Sequence, residues 1–294
     1  MMEWQGEALE VSDAHVHFFS HTFFSKLAPA ERVATLGWDL PPVSYEELAA
    51  KWVAELDRQG VTRAALIASL PGEEESVAAA RRAYPSRFFA YAMVNPKTWD
   101  AKTWDAHSMT EMQVACLFPA MHGYYASSDI AAPVFEWARQ NRRAVFVHCG
   151  ELSVGVRKKL GLPSPFDMRY SNPIDLHPVA LQYPDVPMIV PHFGAGYLRE
   201  ALMLADLCPN VYLDTSSSNA WMRFEGLSLE AVFQRALAVV GPKRLLFGTD
   251  SSFFPRGWNR AVFEAQKNAL LSLGVGSDDA RQIFSQNLVR ILAA

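Results

Sequence analysis

The chain has 294 residues, and its 27 Lys and Arg against 31 Asp and Glu give a formal net charge of −4. Half of the residues are apolar and a fifth are charged, so a sizeable core can form and a disordered chain is excluded. The acidic balance argues against nucleic-acid binding, since such proteins usually carry a basic surplus. No apolar run approaches about 18 residues, so no membrane span is predicted. Residues 1–10 show no pattern of a signal peptide.

The chain has three cysteines, Cys116, Cys149 and Cys208, which are widely spaced and odd in number. This pattern predicts reduced, mostly buried thiols and therefore a cytoplasmic protein. The expected partner is a small-molecule substrate, with neither nucleic acid nor a membrane.

Short apolar runs alternate with helical patterns along the whole chain. Ser44 and Glu47 have the spacing of a capping box, and Asn172 with Pro173 is typical of a helix start. In chain order the predicted strands cover residues 9–17, 61–70, 87–95, 112–119, 143–149, 186–193, 210–216 and 243–250. The predicted helices cover residues 44–59, 73–84, 98–110, 130–141, a stretch from 172, a stretch ending near 207, 228–240, 258–272 and 277–292.

Eight strand–helix units of this kind predict a parallel sheet, because the strands are short, continuous and apolar, as in sheets buried on both faces. A (β/α)8 TIM barrel and an open doubly wound sheet both satisfy the pattern. The count of eight, the chain length and the lack of a G-x-G-x-x-G motif after the first strand favour the barrel. No linker composition interrupts the chain, so we expect a single α/β domain over residues 1–294.

Two insertions, residues 18–43 and 150–171, follow the first and fifth strands and therefore lie on the face where barrel enzymes build their active sites. Long loops in a compact domain usually act as lids or binding loops. The first insertion is rich in aromatic residues, which either line a pocket or pack onto the rim of the barrel.

Five polar side chains end predicted strands and would meet at one rim of the barrel: His15, His17, His148, His192 and Asp250. His15 and His17 lie two residues apart on one strand and so project to the same face. A single strand-end histidine is more often structural, and H-x-H alone is weak evidence. Convergence of all five favours a divalent metal, since imidazole and carboxylate suit Zn²⁺ and similar ions.

The sequence resembles the amidohydrolase superfamily, and within it the amidohydrolase-related group that includes aminocarboxymuconate semialdehyde decarboxylase. The resemblance implies that His15, His17, His148 and Asp250 bind the metal and that His192 lies beside the metal-bound water. It extends over nearly the whole chain and rests on D-A-H-V-H at 13–17, V-F-V-H-C-G at 145–150, N-P-I-D-L-H-P at 172–178, P-H-F-G-A-G at 191–196 and L-L-F-G-T-D at 245–250.

The fourth strand departs from the family pattern. Relatives often have G-I-K-L-H-P there, and in many binuclear members the lysine is carbamylated and bridges two metals. This chain has V-A-C-L-F-P at 114–119, with Cys116 at the lysine position and Phe118 in place of a histidine. We therefore expect one divalent ion, most simply Zn²⁺. Cys116 is interpreted as a small buried hydrophobe, the alternative being a soft ligand or a pocket residue.

These residues predict a metal-dependent hydrolase with His192 as general base, while Asp250 holds the metal and passes a proton to the leaving group. Arg256 is a candidate clamp for a substrate carboxylate, Trp221 a candidate wall for a cyclic substrate, and His122 a candidate pocket residue. Their alternatives are a surface ion pair, core packing and a solvated loop histidine.

The substrate would be a small cyclic or carboxylate-bearing molecule with an amide, ester or lactone bond. A nonoxidative decarboxylase of an unsaturated or aromatic acid is the first alternative, because the same site serves both reactions. A non-catalytic binding barrel is the second, although it predicts a broken ligand set and all five positions are filled here. The resemblance is also compatible with a homodimer.

Overall fold

The computed structural model describes residues 2–99, 111–216, 219–252 and 257–292. The predicted helix at 98–110 lies almost wholly outside them. A hairpin of β1 (Met2–Trp4) and β2 (Glu7–Leu9) precedes a nine-stranded sheet in which all neighbours are parallel. The strands of this sheet are β3 (Ser12–His17), β4 (Arg63–Ala68), β5 (Phe88–Val94), β6 (Val114–Leu117), β7 (Ala144–Val147), β8 (Met188–Val190), β9 (Val211–Asp214), β10 (Leu245–Leu246) and β11 (Ser251–Ser252).

The sheet closes through its last two strands. The strand order runs from β10 through β9 and down to β3, with β11 beyond it, so β10 and β11 lie at opposite edges. Only residues 247–250 separate them in the chain, and the Phe247 carbonyl accepts a hydrogen bond from the Ala14 amide in β3 at 2.8 Å. The segment 245–252 therefore pairs with both edges and acts as the eighth strand. This closure confirms the predicted (β/α)8 barrel.

Alternate residues of each strand face opposite sides of the sheet. In β4, Ala65 and Ile67 belong to an apolar cluster inside the barrel, whereas Ala64, Leu66 and Ala68 belong to the larger cluster between the sheet and the helices. Both faces of the sheet are buried, which explains why the strand sequences are continuous apolar runs.

Helices cover the outside of the sheet. The Ser44 half of the predicted capping box is present, because Ser44 Oγ accepts a hydrogen bond from the Glu47 amide at 3.2 Å and begins helix Tyr45–Gln59. None of the helices in the described ranges is long and apolar enough to span a membrane. The remaining helices of the outer layer are Glu74–Ala83, Pro119–His122, Ala132–Asn141, His177–Gln182, Leu198–Leu207, Met222–Glu225, Leu229–Val240, Arg260–Ser272, Ser277–Arg281 and Asn287–Leu292.

The two insertions cover the C-terminal end of the barrel and contact each other. The first contains helices His21–Leu27 and Ala30–Ala34, and the second contains helix Gly155–Lys159. Phe24 of the first insertion shares an apolar cluster with Val156 of the second. The insertions are therefore folded against one another rather than extended into solvent.

Candidate metal centre and active site

Three of the predicted ligands form one compact group at the C-terminal end of the barrel. The ligand atoms of His15, His17 and Asp250 all lie within 4.8 Å of one another. Asp250 Oδ1 lies 3.2 Å from His17 Nε2 and 3.6 Å from His15 Nε2. The two histidines end β3, while Asp250 lies between β10 and β11, so the group sits on the seam where the barrel closes.

Hydrogen bonds decide which ring nitrogens of this group carry protons. The Asp214 carboxylate can only accept, so His15 Nδ1 donates to Asp214 Oδ2 at 2.7 Å. The Ser69 hydroxyl donates to the Ile67 carbonyl, so its oxygen accepts from His17 Nδ1 at 2.8 Å. In the neutral rings both Nε2 atoms then present lone pairs toward Asp250.

The chemistry of this donor set fits a divalent cation. Two imidazole lone pairs and a carboxylate oxygen face one another with no proton assigned between them, an arrangement that needs a positive charge. Ligand atoms held tetrahedrally at about 2.0–2.1 Å from one Zn²⁺ stand about 3.3–3.4 Å apart. The nitrogen–oxygen separations of 3.2 and 3.6 Å match that spacing. The carboxylate–histidine pair of Asp214 and His15 is also typical of metal sites.

The electrostatics of the group point the same way. Burial raises the pKa of Asp250, but its contact with His17 and the neighbouring imidazoles outweighs burial and holds the pKa below its usual range. Burial lowers the pKa of His15, whereas the charge and hydrogen bond of Asp214 raise it, and the balance lies above the ordinary value. The site therefore attracts positive charge, which either a proton or a metal ion can supply.

His192 lies beside the compact group and is held by Ser216. Its ring centroid is 4.9 Å from that of His15, and its Nδ1 lies 3.2 Å from the Ser216 carbonyl and 2.9 Å from Ser216 Oγ. Donation from Nδ1 to the carbonyl leaves Nε2 as the basic nitrogen. Burial, followed by the charge of His15, lowers the pKa of His192 and favours the neutral ring.

His148 occupies the same cavity but lies outside the compact group. Its ring is 5.3 Å from that of His192 and stacks on Phe118 at 5.5 Å. Burial and the neighbouring His192 hold the pKa of His148 well below its ordinary value. Its buried Nδ1 has no hydrogen-bond partner among the described residues.

Asp13 was not among the residues that the sequence predicted for the site, yet it connects β3 to the segment that closes the barrel. Asp13 accepts hydrogen bonds from the His15 amide at 2.9 Å, from the Thr249 amide at 3.1 Å and from Trp258 Nε1 at 2.7 Å. Burial raises the pKa of Asp13 to about 6. Asp13 was visible as the first letter of D-A-H-V-H. Asp214 was visible as a polar residue that ends the seventh strand at the same rim.

The group opens into a cavity of about 530 Å³. Its wall includes His148, His192 and Phe118, together with residues of both insertions. Cys116 lies fully buried inside the barrel, and burial raises the pKa of its thiol well above the ordinary value. That thiol is therefore protonated near neutral pH, and Phe118 beside it offers no ligand atom.

Of the three predicted substrate contacts, the two that the structure describes, Trp221 and His122, do not line this cavity. Trp221 is fully buried, and its side chain belongs to the apolar core between the sheet and the outer helices. His122 is half-buried outside the cavity, although its neighbour Met121 lines it. Arg256 lies outside the described residues.

A family model described as amidohydrolase matches residues 12–293, which is nearly the whole chain. The chain belongs to the amidohydrolase family. The sequence resemblance is thereby confirmed.

Known proteins with similar sequence or fold include members with different reactions. Protein fluG of Emericella nidulans is 38% identical over 85 residues, a match that spans 29% of this chain and 10% of that protein. A probable 2-pyrone-4,6-dicarboxylic acid hydrolase from Acinetobacter baumannii, with citric acid bound, has 14% identity and a TM-score of 0.65 over 97% of this chain and 100% of its own. A 5-carboxyvanillate decarboxylase from Novosphingobium aromaticivorans, with bound manganese, has 14% identity and a TM-score of 0.66 over 98% of each chain.

At these identities the solved structures show the shared fold alone. Family membership and the His-His-Asp group together support metal-dependent catalysis by this amidohydrolase. Because similar structures include both a hydrolase and a decarboxylase, the comparisons leave the reaction open.

Proposed function

We propose that this amidohydrolase is a metal-dependent hydrolase that cleaves an amide, ester or lactone bond of a small cyclic or carboxylate-bearing substrate. The observation that carries the proposal is the convergence of His15 Nε2 and His17 Nε2 on Asp250 Oδ1, with His192 beside them in an accessible cavity. The protein would act on a small molecule rather than on a polymer, since the site lies inside a cavity covered by the two insertions.

His15, His17 and Asp250 would hold one divalent ion, and His148 is the candidate for a fourth ligand. Zn²⁺ is the ion proposed, because a set of imidazoles with one carboxylate is typical of catalytic zinc sites. When bound, such an ion lowers the pKa of a water molecule and polarises a carbonyl oxygen.

His192 would accept the proton of the attacking water. Its Nδ1 is bound to the Ser216 carbonyl, so Nε2 is the available base. Asp250 would orient the water through its carboxylate, accept the proton that remains on the added hydroxyl and pass it to the leaving group, while His192 would release its proton to solvent. Phe19, Phe23 and Phe118 in the cavity wall present apolar surface, which strengthens these charged interactions.

The test of this assignment is metal analysis combined with kinetics of a His192→Asn variant, with His122→Asn as the matched control outside the cavity. We expect both variants to retain metal, and we expect only His192→Asn to lose activity, by about 10²–10⁴-fold. A metal-replete His192→Asn enzyme with unchanged turnover would contradict the role of His192 as base.

Decarboxylation is the second candidate, and the character of the cavity wall favours it. Phe19, Phe23, Trp38 and Phe118 line the cavity, and a planar unsaturated or aromatic acid fits between such rings. The metal-loaded enzyme should be incubated with a panel of lactones, esters, amides and aromatic acids, measuring both CO₂ release and hydrolysis products. CO₂ as the sole product would replace the hydrolase assignment. No product from any member would favour a non-catalytic binding barrel.

A further inference from the structure

The charged residues in the cavity wall are unevenly placed. Apart from Asp250 of the proposed metal group (His15, His17 and Asp250), the wall includes Glu151, near the start of the second insertion, and two basic residues, Arg157 and Lys159, on the helix Gly155–Lys159 of the same insertion. The basic pair therefore lies together on one helix of the second insertion, while Asp250 lies at the end of the barrel and Glu151 lies nearer to β7. A divalent ion in the metal group would leave the cavity with a positive formal charge.

The guanidinium of Arg157 is held in place without a carboxylate partner. Its Nε and Nη2 donate to the Pro163 carbonyl at 2.9 and 2.7 Å, and no described acidic residue pairs with it. Only part of the donor fork is used in this way, since arginine has five N–H donors. Arg157 is half-buried and lines the cavity, and it keeps N–H donors that the Pro163 carbonyl does not use.

Lys159 lies on the same helix and reaches over an aromatic residue of the other insertion. Its Nζ is 4.8 Å from the centroid of the Trp38 ring, so the two insertions contact each other through this cation–π pair. Both Lys159 and Trp38 line the cavity. The neighbouring Lys158 is exposed and does not line it, which makes Lys158 a natural control.

Stacked rings lead from the metal group into the first insertion. His17 stacks on Phe19 at 5.2 Å, and Phe19 stacks on Phe23 at 4.2 Å with an interplanar angle of 6°. On the opposite wall, His148 stacks on Phe118. A planar substrate with its reacting group at the metal end would lie along these rings and extend toward the insertions.

We propose that Arg157 and Lys159 form an anion-binding site that recognises a second carboxylate of a planar substrate, remote from the group that reacts at the metal. This inference rests on the proposed use of the metal group as the reacting end. Arg157 is the main contact, because its fixed planar fork matches a carboxylate. Lys159 adds charge at the same end of the cavity.

The experiment uses inert ligands, so that binding is measured without turnover. Binding of benzoate, benzene-1,3-dicarboxylate and benzene-1,4-dicarboxylate to the metal-loaded protein is measured by isothermal titration calorimetry. We expect at least one dicarboxylate to bind about 10-fold or more tightly than benzoate, the range of a charge-assisted hydrogen bond. Arg157→Met should remove this preference, Lys159→Gln should reduce it, and Lys158→Gln should leave it intact.

The ratio of dicarboxylate to benzoate affinity separates a lost contact from a distorted cavity, because distortion weakens both ligands equally. Arg157→Lys keeps the charge and should restore part of the preference. Equal affinities in the wild type, no measurable dicarboxylate binding, or an unchanged ratio in Arg157→Met would each overturn the inference. If the preference is present but no turnover is found with any substrate, the proposed function fails and the anion site stands. If turnover is found but dicarboxylates are not preferred over benzoate, the proposed function stands and the anion site fails.

Discussion

Backbone strain is concentrated at Asp250 of the proposed metal group and in the turn that carries His192. Among the described residues, six non-glycine residues have a positive φ, and four of them are His192, Phe193, Ala195 and Asp250. Such conformations cost of the order of 1–3 kcal/mol each and persist only where the surroundings hold them. The strained turns direct His192 and Asp250 into the cavity, where a regular strand would have continued past it.

Close packing beside the proposed metal group leaves no room for a side chain at Gly248. A Cβ added to Gly248 would lie 2.7 Å from Asp214 Oδ1 and 3.1 Å from the Cβ of His15. Glycine at this position therefore allows the eighth strand to approach the carboxylate that orients His15.

The lowered pKa of His122 predicts that the protein becomes less stable to unfolding in mild acid. Burial, with a smaller contribution from Lys97, lowers the pKa of His122 from 6.5 to about 4. Between these two values the unfolded chain binds a proton that the folded chain does not, so the free energy of unfolding decreases as the pH falls from 6.5 toward 4. His122→Gln removes this titration. Between pH 7 and pH 4.5 we expect the wild type to lose about 1–2 kcal/mol more than the variant, after allowance for partial exposure.

Urea unfolding at the two pH values measures this difference. Because the two proteins share every other titrating group, the contributions of those groups to the pH dependence cancel in the difference between them. The same pH dependence in wild type and His122→Gln would contradict the assignment of this effect to the buried ring.

At the residue scale, the proposed metal ligands were easier to recognise in the sequence than the residues that hold them in place. His15, His17 and Asp250 could be proposed because each lies near the end of a predicted strand. The hydrogen bond from His15 to Asp214 joins residues 199 positions apart. Such a pair depends on strand register and barrel closure, which no local pattern of residues encodes.

At the scale of elements, helix starts were easier to predict than strand ends. Ser44 caps its helix through a neighbouring amide, and such a signal is local. The predicted strand at 186–193 instead ends at Val190, because the chain turns into the left-handed region at His192 and Phe193. The predicted first strand at 9–17 is divided, since residues up to Leu9 pair in the antiparallel hairpin and β3 begins at Ser12.

The first insertion depends on one buried serine. Ser20 Oγ accepts a hydrogen bond from the Phe23 amide at 2.9 Å and donates one to Glu73 Oε1 at 2.7 Å. Ser20→Ala removes the helix cap and leaves the buried Glu73 carboxyl without this donor. We expect unfolding by guanidinium to show a loss of about 1–3 kcal/mol, and we expect a higher KM because helix His21–Leu27 places Phe23 in the cavity wall.

Ser25→Ala is the matched control on the same helix. Ser25 is exposed, and its hydroxyl donates to the Thr22 carbonyl at the surface. Its replacement should change neither stability nor KM appreciably. Equal effects of the two substitutions would mean that Ser20 has no special part in holding the insertion.

At the scale of the whole molecule, the proposed metal group and the closure of the barrel share the same residues. β3 carries His15 and His17, while Asp250 immediately precedes β11, which pairs with β3. Asp13 also joins β3 to the segment after β10, because its carboxylate accepts a hydrogen bond from the Thr249 amide. An ion in the group would therefore bridge the first and eighth strands of the barrel.

Removal of the metal should for this reason destabilise the entire barrel. An ion at 100 times its dissociation constant stabilises the folded state by about 2.7 kcal/mol. We expect a chelator to lower the Tm of the wild type, and we expect restored Zn²⁺ to raise it again. Asp250→Asn should show little response to either treatment, whereas Asp185→Asn, at an exposed loop position, should respond as the wild type does. A wild-type Tm that is identical with and without the ion would show that the closing seam of the barrel does not bind it.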